Sequence, residues 1–191
     1  MRQLKYSDYY SKLLNSNIKR GSPTIAEFEL TYNCNLQCVH CYVVKDKDRK
    51  ELTTKQVFSI LKVLAEIGII KIVFTGGEPF IRKDILEILL YSKRQGFDIV
   101  VYTNGTLITE RIADTLIKNG IKRFDISFHS TRPEIFEKIT QVKGSYEKVI
   151  SNVRMLKKKG ALIKLKPFIL NINLEDIFEV GKFAKSLEVG F

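Results

Sequence analysis

Apolar and polar residues alternate through 24–31 (TIAEFELT), the period of a strand buried on one side. From Thr53 or Thr54 the period changes. Val57, Ile60, Leu61 and Leu64 fall on one face, which predicts a helix capped by one of those threonines, running to about Glu66 and closed by Gly68. The same change recurs down the chain. Strands are predicted at 70–74 (IKIVF), 97–102, 123–128 (RFDISF) and 162–170. Helices are predicted at about 83–95, after Thr109 as cap, at 133–139, at 146–159 and, capped by Asn173, up to about Leu187. An amphipathic opening segment, 5–19, reads as a helix that ends at Gly21-Ser22-Pro23.

Five strand–helix units in series imply an α/β fold with a parallel sheet and helical crossovers. The loops with unusual composition follow the C-terminal ends of strands: the cysteine segment CNLQCVHCY, TGGEP, TNG and SFHS. Those ends gather on one rim of a βα barrel, so a curling, barrel-like sheet is expected, although open sheets obey the same rule. Residues 1–23 form an N-terminal extension and 24–191 the core domain. Val189-Gly190-Phe191 reads as the start of a sixth strand, as in a chain truncated near that point.

Composition narrows the classes. The 191 residues are 45% hydrophobic, with no apolar run of membrane-spanning length and no secretory signal at the N-terminus, so no membrane association and a cytoplasmic location are expected. Three clustered cysteines make a poor disulfide framework and suit a reducing compartment. Lys and Arg number 32 against 21 Asp and Glu, a net charge of +11. The lysines are scattered and no basic stripe interleaves with aromatics, so nucleic acid is not expected as a partner. A docking surface for an acidic electron donor fits the same charge.

The only cysteines are Cys34, Cys38 and Cys41, spaced C-x3-C-x2-C. One short loop thus offers three thiolates, enough for three corners of a [4Fe–4S] cubane whose fourth iron keeps an open place. Two other readings stand beside it: a Cys3His zinc site completed by His40 or His129, and three buried thiols. Zinc sites usually draw on paired C-x2-C hooks, and here there is one. After the second strand comes Gly76-Gly77-Glu78-Pro79. Two glycines allow close backbone approach to a ligand, Glu78 is placed to orient it, and Pro79 suits the start of a helical segment.

The cysteine spacing after the first strand, followed by GGEP after the second, resembles the radical S-adenosylmethionine (radical SAM) superfamily over nearly all of 24–191. The resemblance implies a partial (βα)6 TIM-like barrel. It also implies an enzyme with two cofactors, a [4Fe–4S] cluster on Cys34, Cys38 and Cys41 and S-adenosylmethionine (SAM) on its open iron. Reductive cleavage of SAM would give a 5′-deoxyadenosyl radical that abstracts a substrate hydrogen. Gly76, Gly77 and Glu78 would contact the methionine end of SAM. His40, before the third cysteine, occupies a usually aromatic position near adenine. Thr103 and Asn104 resemble the family's TNG turn, and Ser127 matches a position that bonds the SAM carboxylate or ribose. His129 replaces a frequent acidic residue. Lys166 faces either the lumen or the outside. The run from SFHS to GSYEKV is similar to a branch acting in peptide or protein modification or cofactor biosynthesis, many members of which carry SPASM or twitch regions. Expected partners are a flavodoxin- or ferredoxin-type electron donor and a peptide, protein or small-molecule substrate. A glycyl-radical-enzyme activase and a zinc-stabilised or degenerate SAM-binding scaffold are the alternatives.

Overall fold

The computed structural model describes residues 23–43 and 50–191, together with Ser11, Lys12, Asn15, Ser16, Lys19 and Gly21. The opening helix expected at 5–19 lies largely outside the described residues. The chain then runs β1 (Ile25–Glu29), α1 (Thr54–Glu66), β2 (Lys71–Thr75), α2 (Ile85–Arg94), β3 (Asp98–Thr103), α3 (Glu110–Lys118), β4 (Arg123–Ser127), α4 (Pro133–Thr140), α5 (Ser145–Lys158), β5 (Leu162–Lys166) and α6 (Ile177–Ser186). All the strand pairings are parallel, and the strands lie in chain order β1-β2-β3-β4-β5. A doubly wound sheet would reverse its order at a switch point. This one does not, so each crossover adds the next stave of a barrel wall.

Register explains why one face of the wall is dry. Phe28, Phe74, Val101, Phe124 and Ile163 stand side by side in one row across the five strands. Of these, Phe74, Val101 and Phe124 are fully buried. They pack under the apolar stripes of the helices, which include Val57 and Leu61 of α1, Ile88 and Leu89 of α2, Leu116 of α3 and Val153 and Leu156 of α5. Each such side chain contributes about 1.5–3 kcal/mol by leaving water. The period-2 alternation sends the other set, including Glu27, Thr75, Tyr102, Asp125, Ser127 and Lys166, to the opposite face.

Local signals set the helix starts. Thr53, not Thr54, caps α1: its hydroxyl accepts from the Gln56 amide and the Gln56 side chain accepts from the Thr53 amide, a reciprocal capping box. Thr109 caps α3 through the Ile112 amide. Two expectations are corrected. The fifth strand stops at Lys166 instead of reaching Leu170, because Pro167 has no amide hydrogen to continue the ladder. Asn173 does not cap with its side chain. It donates to the carbonyls of His129 (2.7 Å) and Phe168 (2.8 Å) and accepts from the Leu170 amide, tying the loop after β5 to the loop after β4.

The sixth-strand expectation is met at one position. Gly190 donates to Ile163 O (2.8 Å) and accepts from Leu165 N (2.9 Å), a parallel bridge beside β5. Among the described residues no helix is long and apolar enough to cross a membrane.

Candidate functional site

The loops after β1, β2, β3, β4 and β5 meet at the C-terminal rim and enclose a cavity of about 380 Å³. Cys34, Cys38, Cys41, His40, Gly76, Gly77, Thr103, Asn104 and Ser127 all line it. Glu78 is the one sequence-derived site residue that does not; it lies behind the wall.

The cysteine loop is held from three sides. At its start, the Glu51 carboxylate accepts from the Thr31 hydroxyl, the Tyr32 amide (3.0 Å) and the Asn33 side chain (2.9 Å). Arg82, nearly buried, donates to Leu30 O at 3.0 Å and pairs with Asp84 at 2.7 Å. On the far side, the amides of Gln37 and Val39 donate to Thr140 O and Ile139 O at the end of α4, satisfying carbonyls that a helix terminus leaves open. Neither Glu51, Arg82 nor Thr140 was singled out from sequence. Each takes a partner distant in the chain, which residue spacing does not encode.

The third hold comes from the two glycines. A Cβ on Gly76 would lie 2.4 Å from Thr31 O, and one on Gly77 would lie 2.2 Å from Asn33 O. Gly76 also has φ +130°, a conformation open to glycine. The backbone at both glycines thus lies close against the chain's own cysteine loop, and both also line the cavity. The amides of Gly77 and Glu78 complete the hold by donating to Thr31 O (2.7 Å) and Asn33 O (2.8 Å).

Glu78 is 0% exposed. Its Oε1 accepts from the Phe80 amide (3.1 Å) and the Thr103 hydroxyl (2.8 Å), and its Oε2 accepts from the Asn104 amide (2.7 Å). Burial pushes its pKa up to about 7 against the pull of those three donors. Its contacts are thus with the chain: it locks the 76–79 turn to the 103–105 turn. Thr103 in turn accepts from Gly105 N at 2.9 Å. Asn104 reaches towards Cys34 Sγ at 3.7 Å. Burial raises the Cys34 thiol, while the donors Leu36 N–H and Asn104 pull it back.

His40 stacks on Phe168, with ring centroids 4.5 Å apart, and meets the His129 ring edge-on at 4.8 Å. Its Nδ1 is buried with no hydrogen-bond partner among the described residues, a polar atom that a bound ligand would satisfy. Burial holds its imidazole below the ordinary range. His129 Nδ1 accepts from the Phe168 amide at 3.1 Å, which fixes the neutral tautomer with hydrogen on Nε2. Burial, helped by His40, pushes His129 down to about 3. Phe168 escaped the sequence reading because it was placed inside a strand that Pro167 ends.

Lys166 faces the lumen. Its ammonium lies 4.0 Å over the Tyr102 ring and 3.7 Å from Asp125. Burial raises Asp125, with Lys166, Lys164 and Lys71 opposing it. The wall below the cysteine loop therefore carries a cation, a carboxylate and an aromatic face.

Among the described residues no three His, Cys, Asp or Glu side chains converge on one point where a single ion would sit. Three cysteines on one loop, a facing cavity and an unpaired His40 nitrogen fit a cluster with a small molecule beside it.

The sequence matches the Radical SAM superfamily over residues 28–184. The chain belongs to the radical SAM superfamily. It is 31% identical over 169 residues to an AdoMet-dependent heme synthase of Methanosarcina barkeri, covering 87% of this chain and 48% of that protein. It is 33% identical over 168 residues to a probable GTP 3′,8-cyclase of Thermococcus kodakarensis, covering 86% and 54%. The chain thus spans about half the length of these curated relatives. Streptococcus suis SuiB bound to its precursor peptide SuiA superposes with a TM-score of 0.79 at 18% identity, over 99% of this chain and 44% of SuiB. At that identity the likeness is one of fold, and it sets the five strands within the partial barrel of radical SAM proteins. Membership in the superfamily implies SAM and a [4Fe–4S] cluster as cofactors, and the cysteine loop is where this chain has thiolates to hold the latter.

Proposed function

We propose that this chain is the SAM-cleaving core of a radical enzyme, with Cys34, Cys38 and Cys41 as the cluster ligands. When bound, the cluster and SAM together supply one-electron cleavage to a 5′-deoxyadenosyl radical that takes hydrogen from a substrate. The observation that carries this reading is the cysteine loop clamped by the 76–79 turn over a common cavity. The chain's own residues position and shield. Gly76 and Gly77, Thr103 and Asn104, and Ser127 form the wall on which SAM would lie. His40 offers its unpaired Nδ1. Glu78 acts on SAM through the shape of the two turns it joins. Leu36, Phe136 and Phe168 keep part of the wall apolar, which limits water around a reactive intermediate.

The substrate side is the lumen face with Lys166, Asp125, Tyr102 and Glu27. These groups suit a substrate with charged or hydrogen-bonding groups, in peptide or protein modification or in cofactor biosynthesis. The fold shared with peptide-binding SuiB supports a peptide. The net charge of +11 supports an acidic electron donor of flavodoxin or ferredoxin type.

The test is anaerobic reconstitution with iron and sulfide. The expected result is a brown protein with about four irons per chain, a paramagnetic signal on reduction, and 5′-deoxyadenosine released from SAM. Replacing any one of the three cysteines by Ala should abolish that release. A single tightly bound zinc, or release undiminished in the cysteine variants, would overturn the proposal.

A further inference from the structure

We propose that Asn104 is a positioning residue for the iron–sulfur cluster: its side-chain amide donates to the Cys34 thiolate and raises the cluster's midpoint potential. The inference rests on the reading that Cys34, Cys38 and Cys41 hold a [4Fe–4S] cluster.

The direction of the Asn104 amide follows from its neighbours. Oxygen and nitrogen of an amide are told apart by the groups around them. Asn104 Oδ1 faces the Thr106 backbone amide at 2.9 Å, and a backbone N–H only donates. The Thr106 hydroxyl also donates to this oxygen, at 2.6 Å, and so accepts from the Asn35 side-chain nitrogen at 2.8 Å. That leaves Asn35 Oδ1 to accept from Asn104 Nδ2 at 3.0 Å. The square of groups closes in one sense. Asn104 Nδ2 has two hydrogens, and with one on Asn35 the other is available to Cys34 Sγ at 3.7 Å.

The backbone beneath is equally fixed. Asn104 N donates to the buried Glu78 carboxylate, and Gly105 N donates to Thr103. The donor is therefore presented from the rigid end of β3. Cys34 accepts a second N–H, from Leu36 at 3.4 Å. Donors withdraw charge from a thiolate, and hydrogen bonds to the sulfurs are among the levers that set cluster potentials. An added electron increases the negative charge on sulfur, so the bond favours the reduced state. The Asn104 donor thus makes the cluster easier to reduce and fixes the orientation of the Cys34 side chain.

The experiment uses anaerobically reconstituted protein without SAM, with iron per chain measured alongside a potential titration followed by paramagnetic resonance. Asn104→Ser keeps a side-chain acceptor for the Thr106 amide but is too short to reach Cys34. Asn104→Asp keeps the acceptor and replaces the donor by a negative charge. Both variants are expected to hold iron as the wild type does, with midpoint potentials shifted negative, Asp further than Ser. A Ser variant with full iron and an unchanged or more positive potential overturns the inference. Loss of iron in both variants also overturns it, since Asn104 would then be only a post for the loop. A wild type that assembles no cluster defeats the functional reading itself, and that result is distinct from the other two.

Discussion

The Glu78 carboxylate receives the Asn104 backbone amide at 2.7 Å in a position closed to solvent, so the turn after β2 is fastened to the turn after β3. Asn104 then faces Cys34, and the two amides of residues 77 and 78 hold the start of the cysteine loop. A buried acid at the junction of three loops makes their arrangement sensitive to its proton.

Burial raises the pKa of Glu78 from 4.5 to about 7. Between those values the folded chain binds a proton that the unfolded chain releases, so stability falls as pH rises through the window. The full effect is on the order of 3 kcal/mol. Glu78→Gln cannot titrate, and its amide nitrogen confronts at least one backbone donor. It is expected to be about 1–3 kcal/mol less stable at low pH. It should also lose less stability than the wild type between pH 5 and pH 8. Thermal unfolding across that range is the measurement; parallel curves for the two proteins would refute the raised pKa.

Gly77→Ala tests the hold of the glycines on the cysteine loop. Its Cβ would meet Asn33 O at 2.2 Å and Tyr32 O at 2.9 Å, both backbone atoms of the segment leading to Cys34. The loop must move, so iron retention after reconstitution is expected to fall together with SAM affinity, the latter by about tenfold or more. Iron content and equilibrium SAM binding decide it. Normal iron with weakened SAM binding alone would return the close approach to the ligand side.

What could be read from sequence was what repeats or what carries its own chemistry. Strand and helix order followed from the change of hydrophobic period, and Thr53 and Thr109 announced their helices. The three cysteines and GGEP named the family from a few positions. What escaped depends on contacts between distant backbone atoms. A sequence does not show that Asn33 lies against Gly77, and nothing local shows the burial of Glu78. The end of β5 was legible in Pro167 and was missed because the apolar run on either side, Ile163 to Leu170, outweighed one missing donor.

Arg82 anchors the start of the same loop from another side. Its guanidinium serves Leu30 O, Leu52 O and Asp84 at once. Arg82→Ala leaves the Leu30 carbonyl without its donor and Asp84 with the Thr54 hydroxyl in place of its cation, and is expected to cost about 1–3 kcal/mol. Arg82→Lys should recover less than half of that, since an ammonium lacks the planar fork that reaches three acceptors. Chemical denaturation of the three proteins is the check; a fully rescued Lys variant would show that charge alone suffices.

His129 runs against Glu78 in its pH dependence, and the two are separable for that reason. Its folded value is depressed from 6.5 to about 3 by burial, with the neighbouring His40 adding to it, and the unprotonated Nδ1 accepts the Phe168 amide. Here the unfolded chain binds the proton first, so the contribution is present above pH 6.5 and is lost as pH falls through the window. At pH 5 the loss is on the order of 2 kcal/mol. His129→Asn offers an oxygen near the Nδ1 position without titrating. The stability difference, wild type minus variant, is therefore expected to decline from pH 7 to pH 5, while the corresponding difference for Glu78→Gln grows over the same interval. The double variant should lose both slopes. A difference for His129→Asn that stays flat between pH 7 and pH 5 would mean that the imidazole titrates freely, and that the His129–Phe168 contact does not hold the wall beside His40.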